Sequence, residues 1–377
     1  AAISFFVILF ILVWIFEGNY TKKLKQIWEN KILKSIFYFL VFILISLLWT
    51  ENIETGLNVV RMYWGYWAVI FIAATSLHYK YITSIITAFL AGLIVSCIIS
   101  YGVYFDIFDF KKNSISPFMI TIEYSVFLAV ASMFLLNKLF ENKCTNNRKI
   151  MHILLFVFIV GVLFLSNGRT GQLGFFVALF ILPLLHFKVN FKSIFISFFL
   201  VVTIFTLAYN TSNSFKSKVD NLVNDVNKVN SSVNYRSSTG IRLAYGIVTY
   251  DIFLRHPFIG SGAGDYRNEV KKSLENEKFN YLDNIKYFLP NHHAHNQYYM
   301  FLIQFGLIGL ILFLNIVYSV IKTENRDNEF TKFKILFIVI YLASFVGEPL
   351  FHKQFTVVLF VLFVSLISIK QNSLEKI

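Results

Sequence analysis

The stretch from Asn296 to Ile321, NQYYMFLIQFGLIGLILFLNIVYSVI, decides the fold. It carries no charged side chain, and a helix that spans a bilayer needs ~20 mostly apolar residues. His295 stands directly before it, and Gly306 and Gly309 notch it on the apolar side. A titratable imidazole is thereby placed where a polar segment runs into an apolar helix. That position points to proton chemistry at a membrane surface, on a substrate that is itself part lipid.

The rest of the chain agrees with a membrane protein. Of 377 residues, 56% are hydrophobic and 15% are charged, with 44 phenylalanines. Soluble domains average about 25% charged residues. The length is therefore read as one polytopic all-α membrane bundle and not as several soluble domains. Candidate spans are 1–16, 35–50, 62–78, 82–102, 118–137, 151–167, 171–187, 193–210, 296–321, 334–350 and 355–370. The chain is apolar from Ala1 without a charged leader region, which reads as a truncated start and not as a cleavable signal peptide. Cys97 falls in a span and Cys144 in a basic loop, so they are expected at different depths and without a disulfide.

Loop charge orients the spans. Alternate short loops carry eighteen Lys and Arg residues, and the opposite short loops carry five: Arg61, Lys111, Lys112, Arg169 and Lys353. Positive charge stays cytoplasmic, so the C-terminus is cytoplasmic and Ala1 begins outside. The net charge of +13 is then a topology signal and a contact with anionic lipid. Nucleic-acid binding is not supported, because no soluble module interleaves basic and exposed aromatic residues. One long outer loop remains, about 211–295, which separates spans 1–210 from the C-terminal spans 296–377. In it, Val219, Leu222, Val223, Val226, Val229 and Val233 recur at helical spacing. Residues 240–254 are a second helical segment, stopped by His256-Pro257.

Four polar groups share the outer side in this topology. Arg169 lies in Ser166-Asn167-Gly168-Arg169-Thr170-Gly171, the link between two spans. It either anchors a helix end by snorkelling or forks onto phosphate oxygens; the flanking glycines favour close approach of a ligand. Arg242 opens the second loop helix, after Arg236 and a Ser-Ser-Thr-Gly run. His295 either caps the helix or serves as a general base, since free imidazole titrates near neutral pH. Its neighbours His292 and His293 do not complete a metal set, so no metal and no cofactor is expected. Glu348, like Glu123, is an acid near the membrane edge, and such residues are functional candidates or partners of an arginine. Asn296 either orients a sugar hydroxyl or caps the helix. Tyr298 and Tyr299 either stack on sugars or belong to an interfacial aromatic belt. Gly306 and Gly309 are expected to serve close helix packing. Gly260-Ser261-Gly262-Ala263-Gly264 follows no strand, so it is a turn and not a dinucleotide loop. A transporter would place polar residues at mid-membrane depth in several spans; here most lie at the outer edge.

With His295, Asn296, Gly306 and Gly309 in a His-Asn-x9-Gly-x-x-Gly pattern, the chain resembles the O-antigen ligase family within the O-antigen ligase/polymerase superfamily. Ser166–Thr170 is similar to the family's outer-face arginine motif, and Gly240-Ile241-Arg242 with Arg255-His256-Pro257 to Gly262 is similar to its loop pattern. The family has twelve helices, against the eleven spans found here. The resemblance implies an inner-membrane glycosyltransferase that works on the periplasmic side without a metal. Its donor would be a glycan on undecaprenyl diphosphate and its acceptor a sugar hydroxyl of lipid A-core. It further implies that Arg169 and Arg242 neutralise the diphosphate and that His295 activates the acceptor, with inversion. Arg236, Asn296, Tyr298 and Glu348 would contact substrate. The motifs separate ligase from polymerase only weakly, and a protein O-oligosaccharyltransferase is a third reading.

Overall fold

The computed structural model describes residues 2–107, 115–140, 145–187, 189–232, 235–283, 285–323 and 328–369. Helix is the only regular secondary structure among them: α1 (Ala2–Glu17), α2 (Tyr20–Glu29), α3 (Lys31–Ile45), α4 (Ile53–Ser76), α5 (Ile82–Tyr104), α6 (Thr121–Leu139), α7 (Asn146–Leu165) and α8 (Arg169–His186) come first. There follow α9 (Phe191–Thr211), α10 (Asn213–Ser232), α11 (Ser238–Arg255), α12 (Tyr266–Leu274), α13 (Phe288–Asn291), α14 (Gln297–Lys322), α15 (Asn328–Ser344) and α16 (Gln354–Ser368). Eight helical segments are long and apolar enough to cross a membrane, and Val7–Glu17 and Gln354–Ser368 are shorter apolar helices. Each of the eleven expected spans coincides with a helix. The largest boundary difference is at 62–78, where α4 already begins at Ile53, and at 334–350 α15 ends at Ser344 because Gly347 and Pro349 break the run. Val233, Cys144, Lys111, Lys112, Lys143, Lys188, Arg326, Lys370 and Lys376 lie outside the described residues, while Cys97 is a buried free thiol.

The chain divides into two compact units. The first comprises Ala1–Thr83, Lys228–Thr323 and Val357–Ile377. Its apolar centre is aromatic. Phe39 of α3 meets Tyr63 and Trp67 of α4 at centroid distances of 5.8 and 5.5 Å. It also meets Phe301 and Phe313 of α14 at 5.9 and 6.4 Å. Trp67 in turn reaches Phe360 of α16 at 5.3 Å. Lipid tails are as apolar as these side chains, so helix association here rests on van der Waals fit, not on water release. Interlocking rings supply that fit, at about 0.5–1.5 kcal/mol per pair.

The extramembrane part of this unit has a core of its own. Tyr245, Val248 and Ile252 of α11 pack with Tyr266, Val270 and Leu274 of α12, and with Leu282, Ile285 and Leu289 beyond. Met300 and Ile303 of α14 belong to the same cluster. The first turns of the membrane helix are thus the floor of the loop's core, which fixes one against the other. By contrast, α10 forms where the valine periodicity predicts it, yet Leu222 and Val223 are 47% and 53% exposed. The periodicity made a helix with an apolar stripe, as amphipathic interfacial helices have, and not a core element.

The second unit, Ser84–Asn227 and Glu324–Thr356, is a helix bundle in which α6 and α8 are packed most closely with α7 and α15. Small residues let the backbones approach. A Cβ on Gly171 would lie 2.1 Å from the backbone of Ser125, and one on Gly174 would lie 2.7 Å from the Ser344 hydroxyl. Such small-residue seams are the membrane solution to close packing.

Candidate functional site

The His295 turn is built from the loop core upward. The phenol of Tyr266 donates to the carbonyl of His292 at 2.9 Å. Tyr245 donates to the same carbonyl at 3.2 Å and to that of Leu289 at 2.9 Å. Burial pushes both hydroxyls above the ordinary tyrosine range, so they stay protonated donors. The His292 ring stacks on Phe288 at 3.9 Å. After this pinned residue the chain turns sharply: His295 donates its backbone N–H to the His293 carbonyl at 2.8 Å and takes φ +48°. This left-handed conformation costs a non-glycine residue roughly 1–2 kcal/mol. Such strain persists only where the surroundings impose it, and it concentrates at functional sites.

His295 is half-buried, its ring 6.1 Å from that of Tyr245 and 5.4 Å from that of His293. Asn296 caps α14, its side chain accepting from the backbone N–H of Tyr298 at 2.8 Å and of Tyr299 at 3.2 Å. Of its two sequence readings, capping is the one its contacts display. Tyr299 lies against Gly246, where a Cβ would come within 2.8 Å of its hydroxyl. Tyr298 beside it is half-buried.

Gly306 and Gly309 hold this turn in place in a way the expectation of helix-to-helix packing did not foresee. Gly306 breaks α14 outright, with φ 61° and ψ −159°. A loop fills the break. Ser261 and Gly262 donate to the carbonyls of Ile303 and Gln304 at 2.8 and 3.1 Å, and Leu307 and Ile308 donate to those of Pro257 and Phe258 at 2.9 Å each. The broken helix therefore satisfies its exposed backbone groups with another segment of chain, as a polar backbone at membrane depth must. A Cβ on Gly306 would meet the Phe258 carbonyl oxygen at 2.4 Å, and one on Gly260 would meet the Gln304 backbone at the same distance. The glycine run 260–264 is thus a turn, as expected, and also a plug. Gly309 gives room to Phe305, whose Cβ would lie 2.2 Å from an added methyl. Asp265 then ties the plug to the start of α4, accepting from the N–H of Glu51 at 2.8 Å and of Asn52 at 2.7 Å.

Arg242 and Arg236 belong to the same unit. Ser237 caps α11 by accepting from the Gly240 N–H at 3.0 Å. Arg242, in the first turns, donates through Nη1 to the carbonyl and hydroxyl of Ser238 at 2.9 and 2.7 Å and is half-buried. It lies three residues before Tyr245, and residues three apart share a helix face. Arg242 thus lies on the helix face of Tyr245, whose ring is 6.1 Å from that of His295. Arg236 is exposed, ahead of the cap.

Arg169 and Glu348 belong to the second unit. Gln172 donates to the carbonyls of Leu163 and Ser166 at 3.0 and 3.2 Å, and Asn167 accepts from Ser214 at 2.7 Å, so the link before Arg169 is fixed at both sides. The glycines there serve the protein and not a ligand: Gly168 and Gly171 both abut Ser125, which accepts from the Gly171 N–H at 3.0 Å. Half-buried Arg169 opens α8, and no carboxylate partner is found for it among the described residues. A cation at the positive end of a helix dipole leaves a local excess of positive potential, which suits an anion. Glu348 is buried, 3.3 Å from Lys353, and Gly347 beside it faces the Thr170 hydroxyl. Glu123 accepts from the Phe355 N–H at 3.4 Å.

Tyr245, Tyr266, Asp265 and Lys353 escaped the sequence reading. Tyr245 was within reach of it, one helical turn beyond Arg242; the others become visible only when distant segments meet.

The fold and these polar ends define a polytopic helical membrane protein with a built extramembrane site. Residues 154–314 match the family model described as O-Antigen ligase. The matched region contains Arg169, Arg242, His295, Gly306 and Gly309 and ends before Glu348. Comparison with curated proteins returned no match. The family is one of membrane glycosyltransferases of the O-antigen ligase/polymerase superfamily.

Proposed function

We propose that the chain transfers a glycan from undecaprenyl diphosphate to a sugar hydroxyl of a lipid A-core acceptor, on the periplasmic side of the inner membrane. The observation that carries this reading is the strained His295 turn. His295 takes φ +48° at the mouth of α14, three residues after a carbonyl that two tyrosine hydroxyls hold. In this mechanism His295 takes the proton of the acceptor hydroxyl as its oxygen attacks the anomeric carbon. The bond from that carbon to the diphosphate oxygen breaks on the opposite face, so the configuration inverts. Undecaprenyl diphosphate leaves with the bonding electron pair. Arg169 and Arg242 meet the charge that develops on its phosphates, the electrostatic part of the catalysis. Arg236, Tyr298 and Glu348 serve substrate binding, and Asn296 fixes the helix start beneath the base. The reading needs neither metal nor cofactor, because the leaving group is already a good one.

The test is His295→Ala in cells lacking the native gene, with lipopolysaccharide resolved on a gel and folded expression checked by gel filtration. Polymer attached to core at wild-type level by this variant would sink the base assignment. The same strain background separates the related polymerase activity. Loss of a ligase leaves polymer on the lipid carrier, whereas loss of a polymerase leaves single units on the core.

A further inference from the structure

A second feature of the extramembrane part lies outside the His295 turn. Lys271 of α12, Asp283, Lys286, and Tyr287, Pro290 and Asn291 around α13 line an open cavity of about 490 Å³. We propose that this groove is a binding subsite for an anionic saccharide, taking sugars of the transferred glycan or of the acceptor beyond the reacting residue. The proposal rests on the transferase reading above and extends it to the substrate's class.

Its chemistry carries the assignment. Tyr287 is 87% exposed, although the adjacent Phe288 is stacked on His292. A large aromatic left in water on a packed element has no role in the core. A flat apolar face with a polar tip is what binding surfaces use, and the C–H face of a pyranose fits it. Asn291 donates its Nδ2 to the Tyr287 carbonyl at 2.8 Å, which keeps its Oδ1 as an acceptor for a sugar hydroxyl. Asp283 is 3.6 Å from Lys286, an exposed pair of acceptor and donor. Lys271 is exposed and has no carboxylate partner among the described residues. The groove is therefore one positive charge in excess, which selects a carboxylate or phosphate on the sugar.

Position supports the same assignment. Asn291 and His295 are four residues apart, so their Cα atoms are at most ~14 Å apart even with the chain fully extended. The groove and the imidazole are on one pinned segment, since the Leu289 and His292 carbonyls share the Tyr245 hydroxyl. A saccharide of a few rings bridges that span.

The experiment uses the full chain in nanodiscs, with trigalacturonate as the anionic probe and maltotriose as the neutral one, and reads dissociation constants by calorimetry. Trigalacturonate should bind more tightly than maltotriose. Lys271→Ala should weaken it about tenfold, the scale of one lost charged hydrogen bond, and Tyr287→Ala roughly two- to tenfold, the scale of one lost aromatic face. Both side chains are exposed, and an unchanged melting temperature verifies the fold. Wild-type affinity in both variants, equal affinity for the two probes, or binding of neither would overturn the proposal. A photo-crosslinking benzoylphenylalanine at position 287 in cells identifies the source: label on the lipid-linked glycan marks the donor and label on the glycolipid marks the acceptor. Label on neither overturns the subsite. Tyr287-dependent binding in a protein that transfers nothing would sustain the groove and defeat the transferase reading. Transfer without binding at the groove would do the reverse.

Discussion

Gly306→Ala is the most searching perturbation of this architecture. The added methyl meets two obstacles. The backbone at φ 61° and ψ −159° belongs to a region open almost only to glycine, and holding alanine there costs about 1–3 kcal/mol. The Cβ would also lie 2.4 Å from the Phe258 carbonyl oxygen and 2.5 Å from the Gly260 nitrogen, both backbone atoms that no rotamer change moves aside. Relief requires the 257–262 plug to back out of the helix break. That withdrawal costs the hydrogen bonds of Leu307 and Ile308 to Pro257 and Phe258, each about 0.5–1.5 kcal/mol net. The combined effect is on the order of 2–6 kcal/mol, taken together with the strain. Gly65→Ala in α4 is the control, because its Cβ would meet nothing within 4 Å. In detergent, Gly306→Ala should melt well below wild type and expose the 257–264 segment to protease, and it should lose transfer because His295 stands directly ahead of α14. Gly65→Ala should behave as wild type. A Gly306→Ala protein with wild-type melting and protease resistance would refute the account of the break.

Three further outcomes are expected. Tyr266→Phe removes one of two donors to the His292 carbonyl, worth about 0.5–1.5 kcal/mol; kcat should fall several-fold with KM held, and Tyr245→Phe combined with it should lose more than the two separate losses together. Gly171→Ala should loosen α8 from α6, because the new Cβ would sit 2.1 Å from the Ser125 backbone; a melting temperature and transfer rate equal to wild type would contradict the packing argument. Asp251 supplies a pH signature. Burial raises its carboxyl, but hydrogen bonds from Lys278 and Ser273 and the charges of Lys278 and Arg255 outweigh burial and leave it below its ordinary value of 3.8. A lowered folded value contributes stability above pH 3.8 that is lost as pH falls through the folded value. Asp251→Asn should therefore destabilise at neutral pH, and the gap from wild type should close on acidification below that range in a pH series of thermal melts.

What the amino-acid sequence determined is what depends on composition and short-range pattern. Long apolar runs made each expected span a helix, because a backbone in lipid must satisfy its own hydrogen bonds. Serine and asparagine ahead of α11 and α14 became their caps. The His-Asn-x9-Gly-x-x-Gly spacing located the turn that carries the imidazole. Contacts between segments far apart in sequence were decided only by the tertiary structure. The glycines at 168 and 171 read as room for a ligand, and they are room for Ser125. The glycines at 306 and 309 read as a helix seam, and Gly306 is a break filled by a loop some fifty residues upstream, as the bond from the Ile308 N–H to the Phe258 carbonyl records. A missing side chain leaves a space, but the sequence does not say what enters it. Likewise the strained His295 turn follows, three residues on, a carbonyl that Tyr245 and Tyr266 both hold, and neither tyrosine announces that from its own neighbours.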